Sequence, residues 1–315
     1  MSSRLNRDNL KGIWAAAPLS WDANFELDEP AFRENLQRLV AAQPHGIYTF
    51  GSTGELQAID FDEFCRIVDI FIEQVGPSGI PTQVGCHATA THQVIRMLKY
   101  AEQAGADGGQ VALPFWMKLT EAEILRFWGD VSRAVPDFPL TCYNSSRTKW
   151  SLSGEQFADI VQVAPNFIGV KWPGELEIDS FQQVIDGTPG LAHFVGEAYL
   201  MRGMKMGAPG SYSSWVLWQP ELTAKMFNLA EAGNWEEAEK IAGGMTEVTR
   251  FAIAMCGELG LGMMDPVIDK GLMVATGMLV GHQRTRPPYL GWPDDGLEDM
   301  RRRLKAKFPW FIPDE

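Results

Sequence analysis

Several features are scarce in this chain, and each absence excludes something. There is no run of about 18 apolar residues, so no membrane-spanning helix is expected. The first residues, Met1-Ser2-Ser3-Arg4-Leu5-Asn6-Arg7-Asp8, contain no apolar segment of signal-peptide type. Basic side chains are outnumbered: 27 Lys and Arg face 40 Asp and Glu, a net charge of −13. That balance argues against nucleic acid or an anionic membrane as the main partner. Cysteine is limited to Cys65, Cys86, Cys142 and Cys256, with no C-x-x-C pair, which predicts reduced, buried, structural thiols. A soluble cytoplasmic protein is therefore expected. Among the five histidines, His87 and His92 lie five apart, off the i, i+4 spacing of a zinc pair, and no metal site is expected. No long Gly/Ser linker, low-complexity tract or exact repeat interrupts the chain.

Against those absences stand 45% hydrophobic residues and eleven tryptophans. Such a composition supports a sizeable core, and some of the indoles could line an aromatic pocket. Short strand-like runs begin at Gly12, His45, Pro81, Gly108, Pro139, Phe167, His193 and Gly210. Helical patterns lie between them. Asp28 can cap the first, which opens through Glu29-Pro30 and runs to about Gln43. The others fall near 60–75, 90–104, 120–134, 152–163, 178–187 and 197–206. Eight such units over about 220 residues predict a (β/α)8 TIM barrel. A doubly wound sheet is the alternative, but no G-x-G-x-x-G or Walker pattern follows a strand. From residue 221 to 315 the pattern is helical: 221–254 with a turn near 230–235, then 265–279, then a charged helix over 294–307. This predicts a C-terminal extension packed on a barrel formed by residues 1–220.

In such a barrel, chemistry sits at the C-terminal ends of the strands. The run Phe167-Ile168-Gly169-Val170-Lys171 ends on a lysine. A strand-end lysine is ordinarily solvated or paired. If it is desolvated, its pKa falls and the neutral amine can attack a ketone. Tyr143 ends the preceding strand, beside Lys171, and could relay protons; otherwise it is a core tyrosine. After the second strand, Gly51-Ser52-Thr53-Gly54-Glu55 combines a tight turn with hydroxyls and exposed N–H groups. It reads either as an anion seat or as an ordinary Gly/Ser turn.

Taken together, these motifs resemble the dihydrodipicolinate synthase and N-acetylneuraminate lyase superfamily of class I pyruvate aldolases, over about residues 10–310. The family's G-[ST]-T-G-E loop, Y-N tyrosine and G-[IV]-K lysine correspond to Gly51-Ser52-Thr53-Gly54-Glu55, Tyr143-Asn144 and Gly169-Val170-Lys171. Gly207-Ala208-Pro209-Gly210-Ser211-Tyr212-Ser213 is similar to its G-A-x-G-x-x-S strand, and Asp265-Pro266-Val267-Ile268-Asp269-Lys270 to its N-P-x-P-x-K segment. The resemblance implies that Lys171 forms a Schiff base with a 2-oxo acid. It also implies that Ser52 and Thr53, in the loop opened by Gly51, bind the carboxylate and that Tyr143 shuttles protons. The imine serves as electron sink, so no metal or organic cofactor is implied, and a homotetramer, a dimer of dimers, is.

Departures from the synthase pattern bear on the second substrate. Trp116 stands where the synthase has a relay tyrosine. The Y-N-x-P-x-R stretch is one residue shorter here, Tyr143-Asn144-Ser145-Ser146-Arg147. Pro114-Phe115-Trp116-Met117-Lys118, Tyr212-Ser213-Ser214 and Arg286-Pro287-Pro288-Tyr289 are similar to the aromatic hydratase-aldolases, which act on benzylidenepyruvates. Within that branch Tyr212 replaces a tryptophan and Asp265 an asparagine. The resemblance thus implies a pocket in which Trp116, Tyr212 and Asp265, with Trp215 or Trp150, meet an aromatic substrate. Synthase, sugar-acid lyase, dehydratase or deaminase chemistry, and a non-catalytic 2-oxo acid sensor, remain alternatives.

Overall fold

The computed structural model describes residues 5–149, 151–172, 178–262 and 265–312. Its strands are β1 (Gly12–Ala16), β2 (Gly46–Thr49), β3 (Thr82–Cys86), β4 (Gly108–Val111), β5 (Leu140–Tyr143), β6 (Phe167–Lys171), β7 (Ala192–Phe194) and β8 (Gly210–Ser213). Six fall within the predicted runs, while β3 extends one residue past its run, to Cys86, and β7 begins one residue before its run, at Ala192. They pair in parallel in the order β7-β6-β5-β4-β3-β2-β1-β8. A bridge between Val195 and Ser211 brings β7 to β8 and completes the (β/α)8 barrel. There the Val195 N–H donates to the Gly210 carbonyl at 3.2 Å.

Helices α1 (Glu29–Ala41), α2 (Phe61–Val75), α3 (Thr91–Ala104), α4 (Glu121–Ala134), α5 (Gly154–Val163), α6 (Ile178–Gly187) and α7 (Leu200–Lys205) follow the strands in turn. Their starts are set by side chains that satisfy the free N–H groups of the first turn. Asp28 caps α1 through the Ala31 N–H, with Pro30 in the first turn. Capping boxes open α2 (Asp60 with Glu63), α4 (Thr120 with Glu123) and α5 (Ser153 with Gln156). Helix α2 buries Phe64, Ile67, Val68, Phe71 and Val75, the one-sided spacing of an amphipathic helix. Each such side chain, fully buried, contributes roughly 1.5–3 kcal/mol.

After β8 come α8 (Trp215–Trp218), α9 (Pro220–Glu231), α10 (Trp235–Glu258), α11 (Asp265–Ala275) and α12 (Asp294–Lys307). The turn between α9 and α10 falls at residues 232–234, where Gly233 takes φ +79°. Helix α11 bears most directly on the barrel mouth, because Asp265, Ile268 and Asp269 in its first turns border the cavity there. None of the helices is long and apolar enough to cross a membrane, among the described residues.

The barrel interior is partly polar. Tyr212 on β8 donates its hydroxyl to Gln83 Oε1 on β3 at 2.7 Å. Its ring packs 5.1 Å from that of Tyr48 on β2 and 4.8 Å from that of Phe194 on β7. Strands that are not neighbours can touch only through the interior, so these side chains form the floor beneath the strand ends.

Candidate active site

A cavity of about 720 Å³ opens at the C-terminal ends of the strands. Its walls include Tyr48, Ser52, Thr53, Tyr143, Lys171, Glu197, Tyr212, Ser214, Asp265 and Asp269. Six of the residues singled out in the sequence thus meet in one space: Ser52, Thr53, Tyr143, Lys171, Tyr212 and Asp265. Gly51 lines an adjoining cavity.

Lys171 ends β6 opposite Tyr143 on β5. Its Nζ lies 4.8 Å from the centre of the Tyr143 ring, 5.7 Å from that of Tyr212 and 3.5 Å from the Tyr48 hydroxyl. Burial alone lowers the pKa of this amine. The phenols of Tyr143 and Tyr48, then Asp265 and Glu197, outweigh that effect, and the net displacement is upward. The free site therefore holds an ammonium. The expectation of a neutral amine rested on desolvation alone, whereas side chains on other elements also act on Lys171.

The turn after β2 is held in an unusual backbone shape. Phe50 and Glu55 take φ of 63° and 47°, in the left-handed region. Gly54 is required there, since a Cβ on it would lie 2.5 Å from the Phe50 nitrogen. Under the turn, Glu55 and Lys270 form an ion pair with both side chains fully buried. Glu55 Oε2 also accepts from Trp21 Nε1 at 3.1 Å and from the Arg286 N–H at 3.0 Å, while Lys270 donates to the Arg284 carbonyl at 2.7 Å. Burial lowers the Lys270 pKa and the Glu55 charge opposes it. This network anchors the turn to α11.

Two hydroxyls of the turn point to different partners. Ser52 Oγ and the Tyr143 hydroxyl are hydrogen-bonded at 2.8 Å. Thr53 Oγ1 donates to Asp269 Oδ2 at 2.6 Å, which also accepts from Ser214 Oγ at 3.0 Å. The Ser214 N–H in turn donates to Glu197 Oε2 at 2.8 Å. A chain Glu197–Ser214–Asp269–Thr53 thus lines the wall away from Tyr143. Burial, reinforced by Asp265, raises the Asp269 pKa well above the usual range. Burial also raises Glu197 to about 7, against the Ser214 N–H and Lys171, which favour its anion.

Arg147 and Asp265 pair at 2.9 Å and line both this cavity and a second one of about 360 Å³. The second space is walled by Phe50, Leu56, Ala112, Phe115, Pro266 and Tyr289. His87 borders it, its ring stacked on Tyr143 at 5.4 Å. Burial, then the Lys171 charge, lowers the His87 pKa to about 3, so the ring is neutral. Its Nδ1 accepts from the Ala112 N–H at 2.9 Å, which leaves the proton on Nε2.

Trp116 does not line either space. It is 72% exposed on the loop after β4, beside Met117 at 71%. Sequence spacing carries no information on which way a loop side chain turns. Trp215 is buried, with its Nε1 donating to Thr249, and is not part of the cavity wall. Trp150 lies outside the described residues. Four wall residues, Tyr48, Glu197, Ser214 and Asp269, were not singled out in the sequence. Glu197 offered a signal: an acid three residues beyond the end of a barrel strand. No group of three or more His, Cys, Asp or Glu residues is placed to hold a metal, among the described residues.

The sequence profile of the dihydrodipicolinate synthetase family matches residues 9–307. A 4-hydroxy-tetrahydrodipicolinate synthase of Thermus thermophilus is 27% identical over 284 residues, covering 90% of this chain and 91% of the relative. Among solved structures, Escherichia coli K12 YagE, a family member in complex with pyruvate, superposes with a TM-score of 0.84 at 21% identity, covering 94% of this chain and 98% of that one. PhdJ bound to a substrate intermediate gives 0.84 at 18% identity, covering 98% and 100%. At these identities the structural matches speak to the fold.

Proposed function

The chain belongs to the dihydrodipicolinate synthetase family, and from that premise we propose that this lyase is a cytoplasmic class I aldolase whose Lys171 forms a Schiff base with a pyruvate-type 2-oxo acid. The observation that carries this reading is one cavity holding the Lys171 amine, the Ser52–Tyr143 hydroxyl pair and Thr53. The carboxylate of the 2-oxo acid sits on the turn of Gly51, Ser52 and Thr53. Lys171 gives up a proton, which the Tyr143–Ser52 hydroxyl pair relays to the ketone oxygen, and attacks the ketone carbon. Tyr143, coupled to Ser52, delivers a proton to the carbinolamine oxygen as water leaves. In the iminium so formed, the bond beyond C3 breaks when the C4 hydroxyl loses its proton, and the electron pair enters the iminium as an enamine. The imine is itself the electron sink, so this chemistry calls for neither metal nor organic cofactor.

For the second half of the substrate we propose an aromatic group, cleaved as an aldehyde by a hydratase-aldolase acting on a benzylidenepyruvate-like compound. The largely apolar space of about 360 Å³ beyond Ser52, Tyr143 and Arg147 supports this. A hydroxyl-rich sugar acid is the second reading, favoured by the polar wall of Glu197, Ser214, Asp265 and Asp269. We also propose assembly as a homotetramer, a dimer of dimers, which the adjacent exposed side chains of Trp116 and Met117 support.

Borohydride reduction in the presence of pyruvate should add a pyruvate-derived mass to the peptide carrying Lys171, and Lys171→Ala should abolish it. Undiminished trapping in that variant would refute the assignment. Turnover of benzylidenepyruvate alongside sugar-acid candidates separates the two substrate readings. Cleavage of sugar acids alone would overturn the aromatic one.

A further inference from the structure

An aldolase of this kind must also move a proton on carbon, at C3 of the bound 2-oxo acid. Tyr143 is one candidate, but a single phenol reaches one side of a planar iminium. Because β5, β6 and β7 are consecutive in the barrel, Lys171 lies between Tyr143 and the segment that follows β7. That segment presents Glu197 to the same cavity. We propose that Glu197 is the acid–base residue for C3, flanking the imine on the side away from Tyr143. This inference rests on the imine reading above.

Three features of the site fit this role. First, the carboxyl group is held in place: Oε2 accepts from the Ser214 N–H at 2.8 Å. Second, no arginine or lysine forms an ion pair with it, among the described residues, so it is not fixed as a permanent anion. Third, its surroundings balance its two protonation states. Lys171 on β6 favours the anion. Asp265 on α11 opposes it, while Asp269 on the same helix and the Tyr48 phenol on β2 face the same cavity as neutral groups. Helix α10 contributes only uncharged Thr249 and Ile253 to the cavity wall. Burial then brings Glu197 to about 7, where an acid–base group exchanges its proton most readily at neutral pH.

The step is self-contained. The Glu197 carboxylate takes a proton from C3 of the pyruvyl iminium. The C3–H pair becomes the C2=C3 double bond, and the iminium nitrogen becomes a neutral enamine nitrogen. Protonated Glu197 returns the proton to C3 in the reverse direction, the step that follows cleavage of an aldol. The reaction consumes nothing else and can be followed with pyruvate alone, whatever the aldehyde partner.

The test uses the full-length protein with pyruvate in deuterium oxide, following loss of the methyl proton signal by NMR, with borohydride trapping at Lys171 in parallel. Wild type should exchange the methyl protons at a rate that rises with pH through about 7 and then levels. Glu197→Gln should still trap pyruvate on Lys171 while exchange falls roughly 10²- to 10⁴-fold. Glu197→Asp should recover part of the rate. Exchange in Glu197→Gln within threefold of wild type overturns the proposal, as does loss of trapping in that variant, which would mark Glu197 as a residue that shapes the pocket. Wild type that traps pyruvate without exchanging its methyl protons overturns it too. Wild type that fails to trap pyruvate overturns the imine reading itself.

Discussion

Substitution of Lys270 by methionine should be among the most damaging single changes in the protein, although Lys270 does not line the Lys171 cavity. The ion pair it forms with Glu55 is fully buried on both sides. Removing the ammonium leaves a buried carboxylate supported by two neutral donors, Trp21 Nε1 and the Arg286 N–H. Breaking a buried pair in this way costs about 3–5 kcal/mol. A domain's whole stability is about 5–15 kcal/mol, so one substitution removes a large share of it. Glu55→Gln should do comparable damage by stranding the ammonium against the Arg284 carbonyl. In the double variant no buried charge remains, and the glutamine carbonyl can still accept from Trp21 and Arg286. The double loss should therefore fall short of the sum of the single losses by about 2–3 kcal/mol. Urea unfolding, followed by tryptophan fluorescence and extrapolated linearly to water, measures all three variants. A Lys270→Met variant within about 1 kcal/mol of wild type, or single losses that simply add, would show that the pair is not the anchor described.

Two other outcomes are expected. The raised pKa of Asp269 means that the folded protein keeps a proton the unfolded chain has already released. Stability should therefore fall as pH rises above the ordinary aspartate value, and Asp269→Asn should flatten that slope in denaturation series at several pH values; an unchanged slope would contradict the assignment. Light scattering of the purified protein should report the mass of four chains, and a monomer mass at micromolar concentration would remove the proposed assembly.

Much of the barrel was legible in the sequence because its strands are short apolar runs with helical periodicity between them. The boundaries differed slightly where local backbone decided. Helix α1 stops at Ala41 rather than about Gln43, since Gln43 takes φ +48°. The cavity was legible where a side chain lies at or just beyond a strand end, as Ser52, Tyr143 and Lys171 do. Asp269 was not, because it sits inside α11, and only the packing of that helix on the barrel mouth brings it to Thr53. Glu197 carried little signal of its own, because an acid at a helix start is ordinarily a complement to the helix dipole. The protonation of Lys171 could not be read at all. It depends on Tyr48 and Asp265, which lie 123 and 94 positions from it in the chain.

The bridge between Val195 and Ser211 has a consequence for how the molecule can change. Every other neighbouring pair of strands shares a ladder, whereas the backbones of β7 and β8 pair through this isolated bridge, among the described residues. The bond from the Ser214 backbone to Glu197 crosses the same junction, two residues beyond the bridge on one side and three on the other. That carboxylate is therefore also a stitch in the barrel's seam. Any sequence drift that retunes the acid also retunes closure of the cylinder, so the two properties are inherited together.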